Sequence, residues 1–154
     1  MTNPGRATPA NSDGTTTPGR GRLALAVALT AVVFGILDGL WLTVVSGDLY
    51  RDRIGHLLAD SPNAAAAAAF YVVFVLGIVY FVIRPGLARA TLGPSLRDAA
   101  AFGLVTYATF DLTSMAVMKD FPLDVVLIDM AWGTIVCTAT TAVVLAVLHR
   151  LGRS

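Results

Sequence analysis

Past residue 22 the chain alternates between long apolar runs and short polar breaks. The runs cover about residues 23–45, 64–83, 99–118 and 125–148. Each holds about 20 residues or more, enough for a helix to cross a hydrocarbon core of roughly 30 Å. Breaks this short join neighbours that run in opposite directions. The pattern predicts an all-α integral membrane protein with four transmembrane helices in an antiparallel bundle.

The breaks carry their own signals. Ser61-Pro62-Asn63 reads as a helix start, and Arg84-Pro85-Gly86 as a sharp stop. The first break, 48–60, is amphipathic. Leu49, Tyr50, Ile54, Leu57 and Leu58 are expected to face the bilayer, with Arg51, Asp52, Arg53 and His56 toward water, as in an interfacial helix. Residues 1–22 are rich in Thr, Pro and Gly and hold almost no large apolar side chain. Such a segment buries too little surface to offset its ordering entropy, so a disordered tail is expected there and a four-helix domain over 23–150. The first run is too long for a signal-peptide core and carries Asp38 and Trp41, so it is read as a retained span.

Composition narrows the function. Of the 154 residues, 56% are hydrophobic and 14% charged, and net charge is +1. A near-neutral chain has no electrostatic basis for binding nucleic acid. The acidic residues are all Asp, with no Glu anywhere. The single cysteine, Cys137, excludes an intrachain disulfide and a cysteine-based metal cluster. No metal-binding spacing stands out, and no cofactor is expected. Arg6, Arg20, Arg22, Arg84, Arg89, Arg97, Arg150 and Arg153 fall on one side of the predicted topology, and Arg51, Arg53 and Lys119 on the other. The positive-inside rule then puts both termini in the cytoplasm, with the chain in the bacterial inner membrane.

Three carboxylates interrupt the apolar runs: Asp38, Asp111 and Asp129. At about 1.5 Å per helical residue, Asp38 and Asp111 lie about 11 Å, and Asp129 about 6–8 Å, from the outer ends of their helices. Each costs up to about 2.5–3.5 kcal/mol at mid-membrane. Acids at that depth belong in the bundle interior, and here they share one layer.

The helical faces develop this picture. Val27, Ala31, Phe34, Asp38, Trp41 and Val45 share a face of the first helix, and Gly35 and Gly39 beside it permit close helix approach. Tyr107, Asp111, Ser114 and Met118 share a face of the third, with Thr106, Thr109 and Thr113 opposite. That two-sided polarity suggests burial between neighbours or contact with a second subunit. Asp129, Trp132, Gly133, Val136 and Thr140 share a face of the fourth. Asp38/Trp41 and Asp129/Trp132 repeat Asp-x-x-Trp on antiparallel helices, which sets each Trp near the level of the other Asp. Indole only donates and an ionised carboxylate only accepts, so crossed Trp–Asp hydrogen bonds are expected. An interfacial aromatic belt is the alternative for the indoles.

The stretches Asp38-Gly-Leu-Trp41-Leu42, Tyr107-Ala-Thr-Phe-Asp111-Leu-Thr113 and Asp129-Met-Ala-Trp132-Gly133 resemble small bacterial membrane proteins of the domain-of-unknown-function family 2177. The likeness spans about residues 30–137. The family pattern runs Tyr-Asp-Leu-Thr-Asn and then Lys-Asp-Trp; Phe110, Ser114 and Phe121 stand here at the Tyr, Asn and Trp positions. The resemblance implies a membrane location and brings no activity.

Asp38, Trp41, Tyr107, Asp111, Thr113, Ser114, Asp129 and Trp132 are therefore the candidate ligand or proton site. Intramembrane acids of this kind serve proton or small-ligand binding and transport. Four helices are few for a pathway, which implies a homo-oligomer. A membrane enzyme or accessory protein acting on lipid or another apolar substrate is a second reading, although no nucleophile constellation accompanies the acids and catalytic residues stay unassigned. In a third, the Asp/Trp cluster only locks helix packing. Neither the ligand nor the oligomeric state is readable from the residues.

Overall fold

A computed structural model describes residues 19–89 and 91–152. It is all-helical among those residues, with four helical spans long and apolar enough to cross a membrane. The tail expected over 1–22 lies outside the described residues as far as position 18, and its last three residues are already helical. Helix α1 runs Arg20–Leu40, passes through a π turn at Trp41–Val45, and continues as α2, Ser46–Ile54. Helix α3 is Ala64–Ile78, followed by a π turn at Val79–Ile83 and the single turn α4, Arg84–Gly86. Helices α5, Gly93–Val117, and α6, Leu123–Leu151, complete the bundle.

Local chemistry sets several boundaries. The Asn63 side chain accepts from the Ala66 N–H at 3.1 Å, capping α3 where the sequence signals a start. The stop at Arg84-Pro85-Gly86 is softer than expected, because helical structure continues to Gly86. Pro85 lacks the N–H that would bond the Phe81 carbonyl, and the π turn just before it absorbs the mismatch. Helix α5 starts at Gly93, earlier than the apolar run suggests, with proline in its first turn. Asp120 takes a left-handed φ of 59° in the tight connection to α6, a conformation Asp tolerates better than most residues.

Helices α5 and α6 form the most extensive pairing, and α1 packs across α6 and α3. At the end of the bundle where the described chain begins and finishes, the Arg22 guanidinium donates to the Leu148 carbonyl at 3.2 Å. A cation there meets the negative end of α6. The contact also fixes the start of α1 beside the end of α6, so the two described ends share one side.

The core has three tiers. Ala26, Val75, Val79, Ile83, Val144, Leu145 and Leu148 fill the tier nearest the chain ends. Phe34, Phe74, Ile78, Val82, Ala99, Val136 and Cys137 fill the middle. Phe121, Val125 and Val126 form the far tier, with Tyr50, Ile54 and Met130 packed on it. Outside, apolar side chains such as Val32, Ile36, Val73, Phe81, Val105 and Ile135 are exposed on every span. That outer surface suits hydrocarbon, whose lack of hydrogen-bonding partners is met by backbones paired within their own helices.

Three packing expectations are corrected. The inward face of α1 is Ala26, Thr30, Phe34 and Asp38, a strict four-residue row, while Ala31 and Val45 are exposed. A Cβ on Gly35 or Gly39 would meet nothing within 4 Å, so neither glycine serves a close approach among the described residues. The close approach lies instead between α5 and α6. A Cβ on Gly103 would collide with the Gly133 carbonyl, and one on Gly133 with the Tyr107 ring. Finally, α2 is not a separate interfacial helix. It continues the first span and turns Tyr50 and Ile54 onto the bundle, leaving Leu57 and Leu58 exposed.

Candidate functional site

The far half of the bundle holds a cavity of about 340 Å³. Asp38, Asp111 and Asp129 all border it, as do Trp41, Tyr107 and Trp132. The remaining wall is largely apolar, with Phe70 and Phe74 from α3 and Phe110 from α5. Three carboxylates from three separate helices thus reach one chamber.

Their environments differ. Asp38, 4% exposed, accepts from the Tyr71 hydroxyl at 2.7 Å, the Trp132 indole at 3.4 Å and the Tyr107 hydroxyl at 3.5 Å. Those donors come from α3, α6 and α5, so this one side chain ties α1 to three other helices. Asp129, 8% exposed, accepts from the Tyr50 hydroxyl. Tyr50 in turn accepts from the Trp41 indole at 3.5 Å. Asp111 is 1% exposed, and neither of its oxygens has a hydrogen-bond partner among the described residues. Buried polar groups are nearly always partnered, and an orphaned carboxylate is the costliest exception.

The expected crossed pairing is therefore made on one side only. Trp132 reaches Asp38 directly, whereas Trp41 reaches Asp129 through the Tyr50 hydroxyl. The reason lies in the π turn. Nine residues of unbroken α-helix would put Tyr50 opposite Trp41; one extra residue in the turn rotates it by about 100°. Ser46 marks the wide turn, since both its N–H and its hydroxyl bond the Trp41 carbonyl, the hydroxyl at 3.2 Å. With the rotation, the two indoles stack face to face and the phenol drops between Trp41 and Asp129.

Tyr107 is positioned by an absence. With no side chain on Gly133, its ring lies against the α6 backbone, and the hydroxyl points to Asp38. Below, Phe34 and Phe74 stack at 4.7 Å and brace Tyr71 and Tyr107 edge-on.

Two of the sequence candidates do not join the cavity. Thr113 is exposed, and its hydroxyl donates back to the Thr109 and Phe110 carbonyls of its own helix. Thr109 does the same to Val105 at 2.6 Å. This back-bonding satisfies the outward polar face of α5 internally. Ser114 is buried but is not part of the cavity wall. Sequence reasoning also missed two residues. The amphipathic pattern of 48–60 sets Tyr50 toward the bilayer, whereas α2 continues from α1 through the π turn and brings the phenol onto Asp129. Tyr71 went unread, although one of two tyrosines in an otherwise apolar run is the signal that would have found it. Among the described residues no three His, Cys, Asp or Glu side chains come together to hold a metal ion.

No curated protein and no solved structure matched the chain significantly. A family model did, over residues 23–146, a stretch that takes in all four spans and every residue bordering the cavity. The chain therefore belongs to the DUF2177 family, described as predicted membrane proteins.

Proposed function

We propose that this membrane protein binds a proton or small ligand at the carboxylate–aromatic cavity and moves it within the membrane as an oligomer. One observation carries the reading: Asp111 is buried at the cavity wall with both oxygens unpartnered among the described residues. An ionised carboxylate in that position is relieved only by a proton or by a bound positive or donor group. The three acids divide the work. Asp38 and Asp129 are held by tyrosine and tryptophan donors and join helices, which supports a packing role for those two. Asp111 makes no such bond and is the group free to exchange its partner. Among the described residues the wall carries no Ser, Cys or His beside the acids, so it offers no Ser–His or Cys–His pair for the enzymatic reading.

We place the protein in the bacterial inner membrane with both termini cytoplasmic, on the arginine distribution. The cavity then lies in the outer half of the bilayer. Reconstituted vesicles test the transport reading. Proton-coupled flux that disappears in folded Asp111→Asn supports it. Equal flux in wild type and Asp111→Asn, or no flux in either with any candidate substrate, overturns it.

A further inference from the structure

We infer that the cavity's ligand is a lipophilic ammonium ion, a single cationic nitrogen carrying apolar substituents, with Asp111 as its counter-charge. The inference rests on the binding reading above and names its ligand class.

The hydrogen-bond inventory of the wall excludes most other ligands. The donors there are already used. Trp132 and Tyr107 donate to Asp38, Trp41 donates to Tyr50, and Tyr50 donates to Asp129. The Thr106 hydroxyl bonds the Phe102 carbonyl at 2.8 Å. Among the described residues no Lys, Arg or His borders the cavity. An anion, or a neutral ligand that mainly accepts, would find nothing to bind. Free acceptors remain on Asp111, so a complementary ligand donates or is positive.

Size and wall chemistry argue for an organic cation. A proton alone needs no chamber, and about 340 Å³ lies within the usual range for small-molecule sites. The remaining wall is aromatic, and aromatic faces attract a desolvated ammonium group through their quadrupoles. Metal ions of the oxygen-liganded kind need several convergent oxygens, whereas Asp38 and Asp129 are committed to phenol and indole donors. One open carboxylate matches one positive charge.

The cavity rim explains the apolar substituents. Phe70 on α3 and Phe110 on α5 border the cavity and are 44% and 62% exposed. Leu42 joins them at the rim. An opening framed by these side chains faces hydrocarbon, so the ligand enters from the bilayer and must partition there first.

Both tryptophans of the chain line the cavity, which makes intrinsic fluorescence a direct reporter. The test titrates full-length protein in nanodiscs with benzyldimethylammonium and, in parallel, with isobutylbenzene, its uncharged carbon isostere. The expected result is a saturable change in tryptophan emission with the ammonium, at least tenfold weaker binding of the isostere, and a comparable loss in Asp111→Asn. Unchanged circular dichroism and resting emission would confirm that the variant is folded. If both probes bind alike and Asp111→Asn has no effect, the cation assignment is overturned while the cavity remains a binding site. If neither probe gives a saturable change in folded wild-type protein, the cation assignment falls and the binding reading keeps only its proton arm, which the flux assay tests.

Discussion

Trp41 and Trp132, from opposite ends of the sequence, stack with ring centroids 4.4 Å apart and planes 6° from parallel. The stack joins the π turn after α1 to α6, and its two N–H groups point to different partners. Trp132 donates to buried Asp38, and Trp41 to the Tyr50 phenol. Either Trp→Phe variant should weaken this stack, a contact worth about 0.5–1.5 kcal/mol. The stability losses should differ, because Trp132→Phe removes a bond to a carboxylate, worth about 1.5–3 kcal/mol, and Trp41→Phe a neutral one of about 0.5–1.5 kcal/mol. Unfolding in micelles checks the order, and a larger loss for Trp41→Phe would contradict the assignment of partners.

Asp38 and Asp111 should respond to the same substitution with opposite signs. Asp38 gathers three donors. An amide there offers one acceptor oxygen and turns an NH₂ toward the rest, so Asp38→Asn should cost about 1–3 kcal/mol. Asp111 has no donor to lose. Removing an unpartnered buried carboxylate should leave stability unchanged or raise it, by as much as about 1–3 kcal/mol. Denaturation midpoints of the two variants settle the matter; an equal loss in both would mean that Asp111 has a structural partner.

The contrast between these acids shows what the sequence could and could not disclose. Span number and helical class follow from the length of the apolar runs, a property visible residue by residue. That Asp38, Asp111 and Asp129 share a layer follows from the rise of a regular helix, and all three border one cavity. Partner identity does not, because it depends on helix phase. Tyr50 meets Asp129 because the π turn at Trp41–Val45 carries α2 on from α1, a continuation that the amphipathic pattern of 48–60 does not show. Tyr71 and Asp38 are 33 positions apart and meet only once α1 and α3 are packed. Thr113 looks like a site residue in sequence, yet its hydroxyl turns back onto its own helix, while Thr106, set on the face opposite the acids, borders the cavity. Small residues mislead similarly. Gly35 and Gly39 carry the spacing of a packing motif, while the close approach uses Gly103 and Gly133, which pair across two helices and share no local pattern.

The glycines supply a second set of opposed outcomes. Gly103→Ala would drive a methyl into the Gly133 carbonyl, and Gly133→Ala would displace the Tyr107 ring from the α6 backbone. Overpacking of this kind costs about 1–3 kcal/mol, and the second change should also weaken whatever binds in the cavity. Gly35→Ala and Gly39→Ala meet open space and should gain about 0.5–1 kcal/mol from helix propensity. Thermal unfolding across the four variants checks the ranking. A clear loss at Gly35 or Gly39 would point to a second copy packed against that face.

Tyr50 should be the residue that fastens α2 to the bundle. Its hydroxyl donates to Asp129 while accepting from Trp41, so Tyr50→Phe breaks both links and leaves Asp129 with no donor among those described. Loss of a partner from a buried carboxylate costs about 1–3 kcal/mol. Besides the ring's own packing on the far tier, two attachments remain among the described residues. Ile54 packs against Phe121, Val125 and Val126, and Arg53 pairs with Asp124 at 2.8 Å. The ion pair is well exposed, and such pairs contribute about 0–1 kcal/mol. Tyr50→Phe should therefore raise backbone hydrogen exchange through Ser46–Ile54 while leaving the interior of α6 protected. Arg53→Ala should change it little. Were Arg53→Ala to free α2 as fully as Tyr50→Phe, the surface ion pair rather than the buried phenol would hold the segment, and Trp41 and Asp129 would have to be linked by something other than Tyr50.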